Sequence, residues 1–333
     1  MTSIGFGIIG LGRIGHLHAQ NLARGVHGTH LVAAAVSAED RDRLQASGDA
    51  PCPLVSDVSA LVAYPGVDAV VVASPASLHL DHIAIAAEAG KPIFSEKPLA
   101  DGLARSQEVV DLVQRAGVPF QIGFQRRFDP AYLRARHLVA TGAIGTPEMF
   151  RGITCDRIAP VEFLRTSGGL FWDLAIHDFD AARFLVGDEV AAIAAVGAIL
   201  VEPALAGFDD IDHGVVTLRF QGGALGVCQA AWRAPAGYDI RAEVHGSLGK
   251  VVAEVDEKWP ARLYDQRGLV APRHDQFVER FNEAYRAELQ AFVDALHADR
   301  EPSPGLLDGL RAAEIADAAV RARRSGGWIE LSA

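Results

Sequence analysis

Cysteine is scarce in this chain. Cys52, Cys155 and Cys228 are the only three and lie far apart. There is no C-x-x-C pair, no zinc spacing and no disulfide framework. A reducing compartment, the cytoplasm, is the expectation. Basic residues are short as well: 31 Lys and Arg face 42 Asp and Glu, a formal charge of −11. Nucleic-acid binding normally needs a basic face, so no nucleic-acid partner is expected. The acids are scattered rather than run together, which reads as surface and not as a tail. That sign does not exclude anionic small ligands, because backbone amides can bind them. Long apolar runs are also missing. The longest, Val190 to Val201, has twelve residues, against about 20 needed to cross a bilayer. The opening MTSIGFGIIGLG lacks a basic segment followed by a long apolar stretch and a cleavage site. Neither a leader nor a membrane partner is expected. No repeat, low-complexity tract or flexible linker is visible.

What is present is a large apolar fraction, half of 333 residues. That is enough for a sizeable core and roughly two domains. In the first third, strands alternate with helices. IGFGIIG, THLVAAAVS, VDAVVVASP, PIFSEKP and PFQIGFQ read as strands. RIGHLHAQNLARG, HLDHIAIAAEAGK and ARSQEVVDLVQRAGV read as helices. The alternation predicts a doubly wound parallel sheet with right-handed crossovers. The third and fourth strands cannot be separated from the pattern alone.

At the first turn stands Gly10-Leu11-Gly12-Arg13-Ile14-Gly15, after a strand and opening a helix. That context gives a G-x-G-x-x-G its meaning. Gly10 permits the tight turn, Gly12 lets a pyrophosphate approach the backbone, and Gly15 lets helix and strand pack closely. The helix amino end adds unpaired N–H groups. A dinucleotide is therefore the expected cofactor. The second strand of such a unit usually ends in an acid that holds the ribose hydroxyls. Here Ser37 takes that place, followed by Glu39, Asp40, Arg41 and Arg43. The serine removes repulsion against a 2′-phosphate, yet Glu39 or Asp40 could serve the ribose. NAD is favoured because no Arg directly follows Ser37, and NADP stays open.

SEKPLA, residues 95–100, follows another strand at the carboxyl edge of the sheet, where ligands bind in open α/β folds. This Glu-Lys-Pro resembles the Gfo/Idh/MocA family of nicotinamide-dependent oxidoreductases. The likeness extends over GIIGLGRIGHLHAQNL, GFQRRFDPAY, SGGLFWDLAIHDFDAARFLVG and the terminal DGLRAAEIADAAVRARRSGGWIEL. GFQRRFDP and the GG-x-x-x-D-x-x-x-HDFD segment resemble the inositol 2-dehydrogenase branch. The resemblance implies a Rossmann domain, set here at residues 1–123. An α/β domain with a large, mostly antiparallel open sheet follows at 124–333. It also implies that the last helix, about 305–325, packs back on the first domain. The open sheet face would make subunit contacts, giving a homodimer or homotetramer. From the residues themselves, hairpins are expected around Gly222-Gly223 and within IRAEVHGSLGKVVAEV.

The segment GGLFWDLAIHDFD, residues 168–180, sets Asp173 and His177 at i and i+4 in apolar surroundings. A helix begun at Gly168-Gly169 would place both on one face. An exposed helix start is the plain reading, since acids there commonly cap. A catalytic acid–imidazole pair is the sharper one, and the glycine turn and Glu-Lys-Pro favour it. Oxidising a secondary alcohol requires a group that takes the hydroxyl proton near neutral pH, and histidine suits that. His177 is the expected base, Asp173 its positioner, and Lys97 the cation facing the reacting oxygen. The division of proton transfer between Lys97 and His177 is left open. Glu96 and Pro98 are expected to fix the lysine loop. Ser74, Pro75 and His79 follow a strand end and are expected at the cofactor cleft, His79 equally as a plain helix-start residue. Gln125 joins this set. Arg127 is the expected arginine on polyol hydroxyls, against a surface ion pair. The resemblance adds Asp156 as a substrate acid. Tyr238 reaches the pocket or packs in the sheet. His16, His18 and His82 form no metal set, and no metal is expected. A pocket of Lys, Arg, Asp and His suits a cyclic polyol or sugar. The alternatives are an NAD-dependent glycoside hydrolase of the same fold and a non-catalytic NADP-binding sensor.

Overall fold

The computed structural model describes residues 3–331, apart from 255, 256, 259–261, 267, 271 and 272. The chain divides into two units. One comprises the residues up to Gln125 together with Glu283–Ala313; the other comprises Arg126–Asn282 and the residues from Glu314 on.

The first unit is built on six strands: β1 (Ile4–Ile9), β2 (Thr29–Ala35), β3 (Leu54–Val55), β4 (Ala69–Val72), β5 (Ile93–Glu96) and β6 (Phe120–Gly123). All pair in parallel, in the order β3-β2-β1-β4-β5-β6. This is the doubly wound dinucleotide-binding order, with its switch point between β1 and β4. The strand that periodicity could not isolate is β3, only two residues long. Strands β4 and β5 are buried along their whole length, which explains the unbroken apolar sequence of β4. The helix Arg13–Arg24 follows β1 and buries Leu17, His18, Ala19 and Leu22. The helix Asn282–His297 sends Leu289, Phe292 and Val293 into the same core as Phe6, Ile8, Val71 and Phe94. The expected boundary at 123/124 left that helix in the second domain. Its apolar stripe is what draws it to the first. The helix Leu306–Ser325 contributes to the first unit as far as Ala313.

The second unit holds a seven-stranded sheet in the order β12-β11-β7-β10-β9-β8-β15. Its strands are β7 (Pro147–Cys155), β8 (Val190–Ala198), β9 (His213–Phe220), β10 (Leu225–Ala231), β11 (Asp239–Gly246), β12 (Gly249–Ala253) and β15 (Ile329–Glu330). Two short strands, β13 (Leu263–Asp265) and β14 (Gly268–Val270), pair with each other. Only β7 and β10 run parallel within the large sheet; its other pairs are antiparallel. Both expected hairpins form. Gly223, at φ +95°, turns β9 into β10, and Ser247-Leu248 joins β11 to β12. One face alternates inward with Phe150, Val216, Leu218, Cys228, Ala230, Ile240, Ala242 and Val244, all buried. On the other, Met149, Val196, Val215 and Leu225 are exposed. No helix among the described residues is long and apolar enough to cross a membrane.

The helix Pro130–Ala140 shows how local sequence sets a start. Asp129 caps it, accepting from the backbone N–H of Ala131 and Tyr132 at 3.0 and 3.3 Å. Pro130 takes the first helical position, where a missing N–H costs nothing. The second carboxylate oxygen of Asp129 accepts from Arg280 at 2.7 Å.

Candidate active site

In the first unit the glycine turn sits at the end of β1, beside the end of β4. Gly10 has φ +92°, and a Cβ there would lie 2.8 Å from the Ala73 carbonyl oxygen. A Cβ on Gly15 would run into the carbonyl oxygen of Gly10. Gly12 differs: no protein atom lies within 4 Å of where its Cβ would be. Gly12 is also the N-cap of the helix Arg13–Arg24, which has no side-chain cap. No side chain thus covers the helix start, and the open space at Gly12 fits an approaching pyrophosphate. The residues present thus fit a dinucleotide. Arg13 is exposed and Ile14 half-buried on the first turn of this helix.

At the end of β2, Ser37 caps the helix Ala38–Ser47 by accepting from the Asp40 N–H at 3.1 Å. Its hydroxyl also donates to the Asp40 carboxylate at 3.1 Å. Asp40 in turn pairs with Arg43 at 2.8 Å. The turn therefore keeps a carboxylate beside Ser37, and the nearby Arg43 is committed to it. Arg41 donates to the Val55 carbonyl at 3.3 Å. This arrangement suits unphosphorylated ribose better than a 2′-phosphate.

Around the strand ends β4 and β5 the predicted residues come together. Pro75 is exposed and Ser74 half-buried. Ser74 Oγ lies 2.9 Å from His82 Nδ1. His79 is buried at the first position of the helix His79–Glu88. Its Nδ1 lies 2.7 Å from the Pro98 carbonyl and its Nε2 lies 2.9 Å from the Ser74 carbonyl. Burial lowers its pKa, although both carbonyls favour the charged ring. His79 thus ties the β4 loop to the Glu96-Lys97-Pro98 turn. Glu96 is buried and accepts from His18 Nε2 at 2.7 Å. Lys97, the next residue, is half-buried at the carboxyl end of β5. Gln125 is buried just beyond β6, its Oε1 without a partner among the described residues.

In the second unit, the segment 168–180 is not one regular α-helix. Gly168 and Gly169 take φ +89° and +93°. Leu170 N–H donates to Asp210 Oδ1 at 3.1 Å, a cap supplied from a distant loop. A Cβ on Gly169 would lie 2.7 Å from that same oxygen. Residues Phe171–Ala175 then form a π-helical turn, and Ile176–Val186 continue as an α-helix. The expected α-helical i,i+4 face is therefore altered. Asp173 stands on the wide turn and His177 on the first turn of the α-helix. Such turns are rare and often sit at functional sites. Both side chains are half-buried, whereas Phe171, Trp172, Leu174 and Ile176 are buried.

Two buried ion pairs hold this helix. Arg126 Nη1 donates to Asp178 Oδ1 at 2.7 Å, and its Nη2 donates to Thr154 Oγ1 at 2.8 Å. Burial pushes the Asp178 carboxyl up, and Arg126 pulls it back down. Against the lowering by burial, the Asp178 charge keeps Arg126 firmly protonated. Arg127 clasps Asp180 through two nitrogens, at 2.9 and 2.6 Å, and lies over the Phe184 ring. Arg127, the expected polyol contact, is thus occupied in part with fixing the helix. Asp156 lies just past β7, its Oδ1 accepting from the Arg157 N–H at 2.7 Å. Tyr238 is buried edge-on to Phe281, and burial pushes its hydroxyl pKa up.

The sequence offers Arg126 only as the less favoured neighbour of Arg127 and assigns no role to Asp178, Asp180 or Asp210. The adjacent arginines of QRRF and the acids of HDFD were both in view. Only folding pairs them, since some 50 residues of chain lie between.

Two long stretches of the chain match the two domains of one family. Residues 4–124 match an oxidoreductase family with an NAD-binding Rossmann fold, and residues 132–252 match a GFO/IDH/MocA C-terminal domain. The uncharacterized oxidoreductase YrbE of Bacillus subtilis is 38% identical, over 96% of this chain and 94% of its own. An NAD(+) scyllo-inositol 2-dehydrogenase of the same organism is 36% identical, over 97% and 95%. The crystal structure of scyllo-inositol dehydrogenase from Lactobacillus casei, with NAD(H) and scyllo-inositol bound, superposes with a TM-score of 0.91. It is 30% identical and covers 99% of each chain.

Proposed function

Since the chain belongs to the Gfo/Idh/MocA family of oxidoreductases, we propose that it is an NAD-dependent dehydrogenase oxidising a secondary hydroxyl of an inositol or similar cyclic polyol. The reading is carried by its full-length likeness to a scyllo-inositol dehydrogenase that holds NAD(H) and its polyol. The lysine, acid and histidine that this chemistry needs are all present. The relatives quoted favour it over NAD-dependent glycoside hydrolysis and over a silent sensor.

Bound NAD supplies the hydride acceptor. The glycine turn and the uncapped helix start bind its pyrophosphate, and the Ser37–Asp40 turn takes the ribose. A ribose phosphate would bring more negative charge to a turn already holding Asp40, so NAD is the cofactor we assign. The His177 imidazole takes the hydroxyl proton in oxidation and returns it in reduction. Asp173 orients that ring, and the Lys97 ammonium steadies alkoxide character on the reacting oxygen. Arg127, Asp156 and Tyr238 remain the proposed substrate contacts. We place the contact between copies, as dimer or tetramer, on the sheet face that carries Met149, Val215 and Leu225. Free thiols at Cys52, Cys155 and Cys228 agree with a cytoplasmic enzyme.

The test is turnover. Purified protein is mixed with myo-inositol, scyllo-inositol and common pyranoses, with NAD or NADP, and reduced nicotinamide is followed by absorbance. Polyol-dependent reduction of NAD is expected, and silence on every polyol would sink the proposal. Lys97→Ala should keep NAD binding and lose turnover; equal activity would remove Lys97 from the mechanism.

A further inference from the structure

Behind the Glu96-Lys97-Pro98 turn, inside the first unit, lies a group that the reaction as described does not use. Glu288 projects from the helix Asn282–His297 and is fully buried. Neither of its carboxyl oxygens has a hydrogen-bond partner among the described residues. One oxygen of Glu288, one of Glu96 and a ring nitrogen of His18 lie within 4.8 Å of one another. The walls are aromatic: Phe94 and Tyr285 stand edge-on to His18, with ring centres at 5.3 and 5.9 Å. Gln121 Nε2 donates to the Glu288 main-chain carbonyl at 2.8 Å and pins this part of the helix to the sheet. Gly123 leaves room for the Glu96 carboxylate, since a Cβ there would lie 3.2 Å from Oε2.

We propose that Glu288 is a positioning residue for Lys97: its carboxyl, within 4.8 Å of Glu96, closes that short gap to hydrogen-bond the Glu96 carboxylate and with His18 fixes it, and the peptide bond from Glu96 passes that constraint to the lysine. The proposal rests on the reading of Lys97 as the cation at the reacting oxygen. Two carboxyls this close in an apolar enclosure do not both ionise. Burial, then the charge of Glu96, pushes Glu288 up, so Glu288 holds the proton. Glu96 accepts from His18. The titratable groups facing the pair are His18 on the helix Arg13–Arg24 and Tyr285 on the helix of Glu288. His79, on the helix His79–Glu88, also feels the Glu96 charge. Were Glu288 ionised, repulsion would displace Glu96 and move Lys97 with it. A divalent cation held by the three groups would instead leave Glu288 ionised, so the two cases differ in one proton.

Infrared difference spectra of wild type and Glu288→Gln at neutral pH decide the proton. A protonated carboxyl band present in wild type and lost in the variant is expected. Absence of the band, or one equivalent of metal in wild type that Glu288→Gln loses, would overturn the proposal. This arm needs no turnover and stands apart from polyol oxidation. In kinetics, Glu288→Gln, neutral and of like shape, should keep kcat within a factor of about 3. Glu288→Leu, neutral without hydrogen bonds, should lose kcat by about 10- to 100-fold with the KM for NAD little changed. Equal kcat in wild type and Glu288→Leu, or equal loss in both variants, removes Glu288 from positioning. Wild-type silence on every polyol fails the functional proposal while leaving the infrared result intact.

Discussion

Replacing Arg126 by leucine would leave the Asp178 carboxylate buried without its cation. Both side chains are almost wholly inaccessible and meet at 2.7 Å. Removing one partner of such a pair costs about 3–5 kcal/mol, because the remaining charge is uncompensated. For a unit of this size each kcal/mol moves Tm by about 2–4 °C, so a drop of about 6–20 °C is expected. The loss should depend on pH, with a definite sign. Burial already pushes Asp178 up, and without Arg126 nothing comparable pulls it down. Its folded pKa then lies above the ordinary carboxylate value, so folding takes up a proton. The stability this provides is present at low pH and lost as pH rises through the folded value. Relative to wild type, the deficit of Arg126→Leu should therefore be smaller at pH 5 than at pH 8. Arg126→Leu/Asp178→Leu, which removes both charges, should recover most of the loss. His177 precedes Asp178 on the same helix, so kcat measured well below the variant's Tm should fall as well. Calorimetry across pH, with kinetics on the same samples, tests the chain of reasoning. A single variant losing less than about 1 kcal/mol, or losing more at acid pH, would refute it.

Two glycines of the phosphate turn should separate folding from binding. Gly12→Ala meets no protein atom and has φ −69°, so folding stability should stay within about 0.5 kcal/mol of wild type while NAD affinity falls at least about tenfold. Gly15→Ala drives a Cβ into the Gly10 carbonyl and should destabilise by about 2 kcal/mol or more. Unchanged NAD affinity in Gly12→Ala, by fluorescence titration, would contradict the placement of the pyrophosphate. Ser37→Asp keeps a capping side chain and restores the usual strand-end acid, so the preference for NAD over NADP in kcat/KM should rise about tenfold. A shift toward NADP would show that this turn does not meet the ribose.

Much of the fold was legible because the first unit obeys local rules. Its strands are largely apolar runs, its helices carry periodic apolar faces, and Gly10 and Gly15 mark a turn that admits no side chain. What stayed hidden depends on distant partners. Two-residue β3 has too little pattern to be seen. The helix Asn282–His297 was visible as a helix, but its place against Phe6 and Phe94 depends on packing. The wide turn at Phe171–Ala175 escaped notice because its cap, Asp210, comes from a remote loop. Nothing in the string marks Arg126 and Asp178 as partners. Only the tertiary fold shows that each is the other's counter-ion.

The seven-stranded sheet ends in two outermost strands, and neither invites uncontrolled extension. On one side β15 offers only two residues of ladder. On the other, β12 bears Lys250, and Glu254 follows it, so a foreign strand laid alongside would have to accommodate charge. Growth by lateral β-pairing, the route to fibrils, is thus blunted at each border. A wide pleated surface framed by such borders can stand bare during synthesis without recruiting foreign strands to its rim.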